Sequence, residues 1–209
     1  PIEELREKYS QAIAEENVVA LSIATRPDCL GDDVLDLLEE MSKKVYLWVE
    51  LGLQTINDKT AENFNRGYKF EVFKEGIKKL QDRGIEVVVH SIFGLPGETK
   101  EDMLRTIDYI AHSGAQGIKF HLLHLMKNTK MAEQYYNGEF ELLSEEDYID
   151  LICQGISMIP EEMVVHRLTG DAPRATLIGP MWSLKKWEVL NAIDKALVDR
   201  DIWQGKNFK

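Results

Sequence analysis

The feature that most constrains this chain is the regular exchange of two hydrophobic periods along its length. Apolar runs with strand character, Val18–Ala24, Val45–Leu53, Ile85–Phe93, Gly117–Leu125 and Met163–Leu168, alternate with stretches whose apolar residues recur every three or four positions. The helical stretches are 1–16, with Ile2, Leu5, Tyr9 and Ile13 on one face, and 32–43, with Val34, Leu35, Leu38 and Met41. A longer one, 60–83, is expected to break at Gly67 and to end at Gly84. Thr99 and Ser144 are expected N-caps for helices running to Ser113 and Met158. Ser183 is expected to cap a last helix, 184–200, with Trp187, Leu190, Ile193 and Leu197 on one face and a frayed tail beyond it. Residues 126–143 show no clear period, and 169–182 read as a loop. Strand and helix in alternation predict an α/β fold with a mainly parallel sheet. A complete eight-unit barrel takes roughly 250 residues. Five strands in 209 residues therefore predict a partial barrel of the TIM type, short at its front end. Residues 1–168 would form the barrel, and 169–209 a loop and helix packed on it. No Gly-rich dinucleotide fingerprint follows any strand, which disfavours a doubly wound sheet.

Composition enters as a filter on partners. A formal net charge of −11 argues against a broad basic surface for phosphate backbones, though a local basic patch could persist. No stretch approaches the roughly 20 apolar residues of a membrane span, so no membrane partner is expected. Cys29 and Cys153 are far apart and neither has a CxxC neighbour, so no disulfide framework or cysteine-rich metal site is read and no metal ligand is assigned. The chain opens at Pro1 inside an amphipathic helix, without the regions of a signal peptide, which reads as a cut boundary and a cytoplasmic location.

Alternation along a strand sends every second side chain to one face, so parity tests which polar residues share the barrel interior. Ser22, Ala24 and Arg26 go together in the first strand, and Trp48, Glu50, Gly52 and Gln54 in the second. His90, Ile92 and Gly94 share a face in the third, and Lys119, His121 and Leu123 in the fourth. Each set turns polar toward the carboxyl end of its strand, the end where barrels place catalytic groups. For Glu50 alone the ordinary alternative is a buried ion pair with Arg26, Lys119 or a histidine. For Gly94-Leu95-Pro96-Gly97-Glu98 it is a plain strand-to-helix turn. His121 and His124 are three apart and face opposite ways on a regular strand, which disfavours a shared metal.

Three stretches, Ser22-Ile23-Ala24-Thr25-Arg26-Pro27-Asp28, Glu50-Leu51-Gly52-Leu53-Gln54-Thr55 and His90-Ser91-Ile92-Phe93-Gly94-Leu95-Pro96-Gly97-Glu98-Thr99, resemble radical S-adenosylmethionine (SAM) proteins. The YhcC/YtqA-like family, related to oxygen-independent coproporphyrinogen oxidase and the Elongator catalytic subunit, is the nearest in pattern. His121-Leu122-Leu123-His124, His166-Arg167-Leu168-Thr169-Gly170-Asp171 and Trp182–Trp187 resemble its C-terminal half. The resemblance implies a radical SAM barrel of six units, of which this chain carries the third onward. By that analogy Glu50 and Gln54 line the ribose and amino-acid part of SAM, Gly94 approaches the adenine, and His121 with Leu123 borders the adenosine. Arg26 and His90 become candidates for the methionine carboxylate or the substrate. No catalytic residue is assigned.

The family's three-cysteine motif, which holds a [4Fe–4S] cluster, lies upstream of the matched stretches and has no counterpart here. The resemblance thus implies that the full-length protein uses SAM and the cluster to generate a 5′-deoxyadenosyl radical, while these residues alone are inactive. Kinship with the Elongator subunit makes tRNA, at its wobble uridine, a candidate substrate. A barrel lacking its first strands would leave Val18–Ala24 as an open edge, for which a homodimer is the expected remedy. Two rival readings stay open: a cluster-independent barrel hydrolase or lyase using Glu50, Lys119 and His121 as acid–base groups, and a non-catalytic binding module.

Overall fold

The computed structural model describes residues 1–209. In chain order its strands are β1 (Ala20–Thr25), β2 (Tyr46–Gln54), β3 (Glu86–Phe93), β4 (Gly117–Leu122), β5 (Leu125–Met126), β6 (Val164–Arg167) and β7 (Leu177–Gly179). Five of them form one sheet in the order β1-β2-β3-β4-β6, every neighbouring pair parallel. Consecutive parallel strands need a crossover, and helices supply it. These helices are α2 (Asp32–Ser42) after β1, α3 (Asp58–Asn63) and α4 (Phe70–Gln81) after β2, and α5 (Lys100–His112) after β3. α6 (Lys130–Tyr136) and α7 (Glu145–Met158) lie between β5 and β6, while α1 (Ile2–Ile13) and α8 (Lys186–Asp199) flank the whole. The sheet is an α/β partial barrel.

Its two faces differ as the parity of the sequence requires. Leu47, Val49, Leu51 and Leu53 of β2 are buried beneath the helices with Val87 and Val89 of β3 and Ile118 and Phe120 of β4. Each such apolar side chain contributes roughly 1.5–3 kcal/mol of burial free energy. The opposite face carries the polar sets.

Local signals set the helix ends. Thr99 and Asp102 form a reciprocal capping box on α5, and the Ser144 hydroxyl accepts from the Asp147 amide at the start of α7. The long helical region breaks as expected: Asn65 and Gly67 take left-handed backbone, at φ 57° and 88°, between α3 and α4.

Several expectations are corrected. The fourth strand leaves the sheet after Leu122, and Leu125–Met126 instead pairs antiparallel with Leu177–Gly179, inside the segment that reads as a loop. Ser183 does not cap α8; it lies in a 3-10 turn, and its hydroxyl donates to the Pro180 carbonyl at 2.7 Å. α8 buries Val189 and Ile193, while Trp187 is 77% exposed. The tail is tied down rather than frayed: the Gln204 amide donates to the Pro160 and Met163 carbonyls at 2.7 Å each, and the Asn207 amide to the Ser157 carbonyl at 2.8 Å.

Candidate active site at the carboxyl ends of the strands

Glu50 is the hub of the polar face. Ser22 Oγ donates to its Oε1 at 2.8 Å, His90 Nε2 lies 3.0 Å from its Oε2, and Lys119 Nζ lies 2.5 Å from the same oxygen. Four strands thus bring β1, β2, β3 and β4 residues onto one carboxylate, because parallel registry sets Ala24 beside Glu50, Gly52 beside His90 and His90 beside Lys119. Burial pushes the Glu50 carboxyl up, but the bonds from Lys119, Ser22 and His90 outweigh it and hold it at about 2. Glu50 therefore stays ionised at neutral pH. Of the alternatives for its ion pair, Lys119 and His90 fill the role, and Arg26 does not.

His121 stands beside this hub, its ring 5.0 Å from that of His90. Burial lowers it first, and the positive neighbours His90, Arg167 and Lys119 lower it further, to about 4. It is a neutral imidazole whose Nε2 is shut from solvent without a partner. Burial also lowers His90, against the opposing pull of Glu50. An unpaired buried nitrogen costs about 1–3 kcal/mol and calls for a ligand or water.

The end of β2 is held in an unusual shape. A register shift between Gly52 and Gln54 leaves Gln54 in the left-handed region at φ 63°, and the Tyr68 hydroxyl donates to the Gly52 carbonyl at 2.8 Å. The buried Arg66 clamps this bulge: its Nη1 donates to the carbonyls of Leu53 at 2.8 Å and Thr55 at 2.6 Å, on either side of Gln54. Its Nε donates to the Tyr68 carbonyl and its Nη2 pairs with Asp58 at 2.9 Å. A methyl group on Gly52 would meet Gln54 Nε2 at 2.6 Å, so a side chain there would have to displace the Gln54 amide. At the end of β3, Gly94 has φ 87°, and a methyl group on it would meet Leu143 at 3.1 Å and Leu123 at 3.8 Å.

The structure therefore gathers Glu50, His90 and His121 in one cluster, sets Gln54 against Gly52 and Tyr68, and brings Gly94 to Leu123. Arg26 stands apart: its guanidinium grips Asp28, with Nη2 to Oδ2 at 2.6 Å, and lies 5.5 Å above the Tyr68 ring. His124 does not share its neighbour's surroundings, since it follows the end of β4 and its Nδ1 and Cε1 pack against Gly170. Arg66 and Tyr68 escape a reading of sequence. An arginine next to a glycine in a helix break was the one available signal, and its acceptors are carbonyls freed only by the bulge.

For metal chemistry the residues are few. Cys29 is exposed, Cys153 is buried, and no group of three or more His, Cys, Asp or Glu side chains converges on a common point. These residues do not fit a [4Fe–4S] cluster, which needs thiolates. They do fit an adenosyl ligand. Glu50 offers about four acceptor sites and spends three, so Oε1 retains one for a hydroxyl. His121 Nε2 is unpaired.

Comparison with known proteins gives the family. The sequence model described as the Radical SAM superfamily matches residues 1–110, and that of the Radical_SAM C-terminal domain matches 115–199. The chain is 52% identical to YtqA of Bacillus subtilis (strain 168) over 209 residues, all of this chain and 65% of that protein. It is 29% identical to the tRNA uridine(34) acetyltransferase of Methanocaldococcus jannaschii over 168 residues, 79% of this chain and 30% of that protein. The solved structure of Methanocaldococcus infernus Elp3 with an N-terminal deletion superposes with a TM-score of 0.76 at 23% identity, over 89% of this chain and 43% of that one. This last likeness shows the fold.

Proposed function

The chain belongs to the radical SAM superfamily, in its YtqA/YhcC-like group, and from that premise we propose that its 209 residues form the SAM-holding part of an enzyme that modifies tRNA at a wobble uridine. The observation that carries the first half is the convergence of four strands on Glu50, with the unpaired His121 Nε2 beside it. Glu50 and Gln54 would hold the ribose and amino-acid part, Gly94 would admit the adenine, and His121 and Leu123 would border the adenosine. His90 in the hub, and Arg26 from its separate place over Tyr68, would face the methionine carboxylate or the substrate. In the complete enzyme, SAM and its cluster would supply one-electron homolysis. The residues described here bind, orient and exclude water.

With two separated cysteines and no ligand cluster, this stretch alone would neither assemble the cluster nor cleave SAM. We take 1–168 as the barrel unit and 169–209 as the part packed on it, and we expect the open edge of β1 to support a homodimer of the isolated chain. The tRNA assignment is supported by kinship with the tRNA uridine(34) acetyltransferase. The acid–base hydrolase reading fares worse, because a carboxylate held at about 2 is a weak base at neutral pH.

Calorimetric titration of SAM into the chain tests the cofactor surface. Saturable heat is expected for the wild type, with loss in Gly94→Val and Gln54→Ala; absence of heat in the wild type at millimolar SAM sinks the reading. For the substrate, filter binding of tRNA to the full-length protein across a salt series should show affinity that falls with salt. No retention at low salt would remove tRNA from consideration.

A further inference from the structure

A cavity of about 320 Å³ opens just beyond the proposed adenosine surface, between the α3–α4 connection and the segment from β4 to α6. Leu123, whose Cβ would lie 3.8 Å from a methyl group on Gly94, also lines this cavity, so the two spaces adjoin. We propose that the cavity is a second ligand site, built for a planar, uncharged nitrogen heterocycle that carries an anionic tail. The inference rests on the cofactor reading only for its placement of the neighbour.

The lining argues for that chemistry. Asn63, Asn65 and Gln134 contribute amides, each able to donate and accept along the edge of a heterocycle. Thr129, by contrast, is committed, capping α6 and bonding the Met126 carbonyl. Phe64 is half-buried and lines the cavity, an aromatic side chain of the kind that stacks on heterocycles. No carboxylate lines the space, and Lys130 is its single charged residue, in a chain whose formal charge is −11. His124 also lines it, with an Nε2 that is shut from solvent and has no partner. Asn65, on the opposite wall, is held in left-handed backbone at φ 57°, and the adjoining Arg66 anchors that wall to the end of β2. The volume is at the small end of the range for small-molecule sites, which suits a pyrimidine better than a larger ring system.

The test is titration of the 209-residue chain with uridine 5′-monophosphate, read by amide chemical shifts in NMR. Saturable shifts confined to the amides of 63–65 and 123–134 are expected, and they should persist when S-adenosylhomocysteine is present. Lys130→Met should weaken the nucleotide about 3- to 10-fold, to the level of uridine, while leaving uridine itself unchanged. Gln134→Leu, in the short helix α6, should weaken both while its unfolding midpoint stays at the wild-type value. Phenyl phosphate, which has the ring and the charge but no hydrogen-bonding edge, should bind more weakly than the nucleotide. Displacement by S-adenosylhomocysteine overturns the proposal, since the space would then belong to the cofactor. So do equal binding of phenyl phosphate, shifts scattered over the surface, or no saturation up to about 10 mM. Binding of the nucleotide without any binding of S-adenosylhomocysteine supports this site while sinking the cofactor reading, so the two can fail separately.

Discussion

The two faces of the sheet are made by the same strands and even by adjacent residues, yet they obey opposite rules. On β4, Phe120 is fully buried against the helices, with Phe93 at 5.8 Å between ring centroids, while Lys119 and His121 on either side of it point into the polar hub. The helix-facing side is dry and closely packed, so its contribution is stability. The hub face carries an ionised carboxylate, a lysine, two imidazoles and a left-handed glutamine, arrangements that cost free energy unless something fills the space before them. Stability and chemistry are therefore separated by one residue along each strand.

The hardest test of that division is Phe120→Ala. Truncating a fully buried phenylalanine costs about 3–5 kcal/mol, and here it would also leave Gly155 of α7 facing a void, since a methyl on Gly155 already sits 3.0 Å from the Phe120 ring. Denaturant unfolding should show the loss, while SAM affinity measured well below the new midpoint should stay within about threefold. A large change in affinity with intact fold would mean that the two faces are not independent.

Glu50→Gln should be the reverse case. It leaves Lys119, 17% exposed, beside His90 and Arg167 with no counter-charge, and the cost is about 2 kcal/mol because the site is only partly buried. Adding Lys119→Met should recover much of that stability without recovering SAM binding. A double-mutant cycle with no coupling between the two positions would break the hub as described.

How far the sequence foresaw this depends on which face is considered. The helix-facing residues were legible because burial imposes a strict period of two, and β2 shows it through all nine residues. Parity also placed Ser22, Glu50, His90 and Lys119 on one side. What it missed lies where the chain leaves regular geometry. Arg26, past the end of β1, turns to Asp28 instead of Glu50. His124 falls beyond β4, where alternation no longer applies, and β5 and β7, of two and three residues, are too short to show any period. Ser183 looked like a cap, but a cap is defined by the turn around it, and Pro180 draws that turn into a 3-10 form.

Acid should separate the faces in a graded way, since only the hub titrates. His121 is held at about 4, below its ordinary 6.5, so between those values the unfolded chain binds more protons and stability falls as pH is lowered. Glu50, held at about 2 against 4.5, extends the loss through the lower window. Stability should be full above pH 6.5 and decline on the order of 1 kcal/mol across the His121 window, allowing for its partial exposure. His121→Leu should flatten the upper part of the profile and Glu50→Gln the lower part, as read by midpoints of chemical unfolding. A His121→Leu profile that matches wild type above pH 4.5 would show that the imidazole is not held neutral.

The smallest effect is the most discriminating. Gln54 sits at φ 63°, a conformation that costs a non-glycine residue about 1–2 kcal/mol, and glycine there would lose about 0.5–1 kcal/mol through chain entropy. Gln54→Gly should therefore stabilise the fold slightly, by about 0.5–1 kcal/mol, because the Arg66 clamp holds the bulge through the backbone carbonyls of Leu53 and Thr55 whatever side chain lies between them. If the strain exists to present the amide, SAM affinity should drop while the unfolding midpoint rises. A rise in stability with unchanged affinity would make Gln54 a structural accident of the bulge, and a fall in stability would mean that its contacts with Gly52 and Tyr68 outweigh the strain of its backbone.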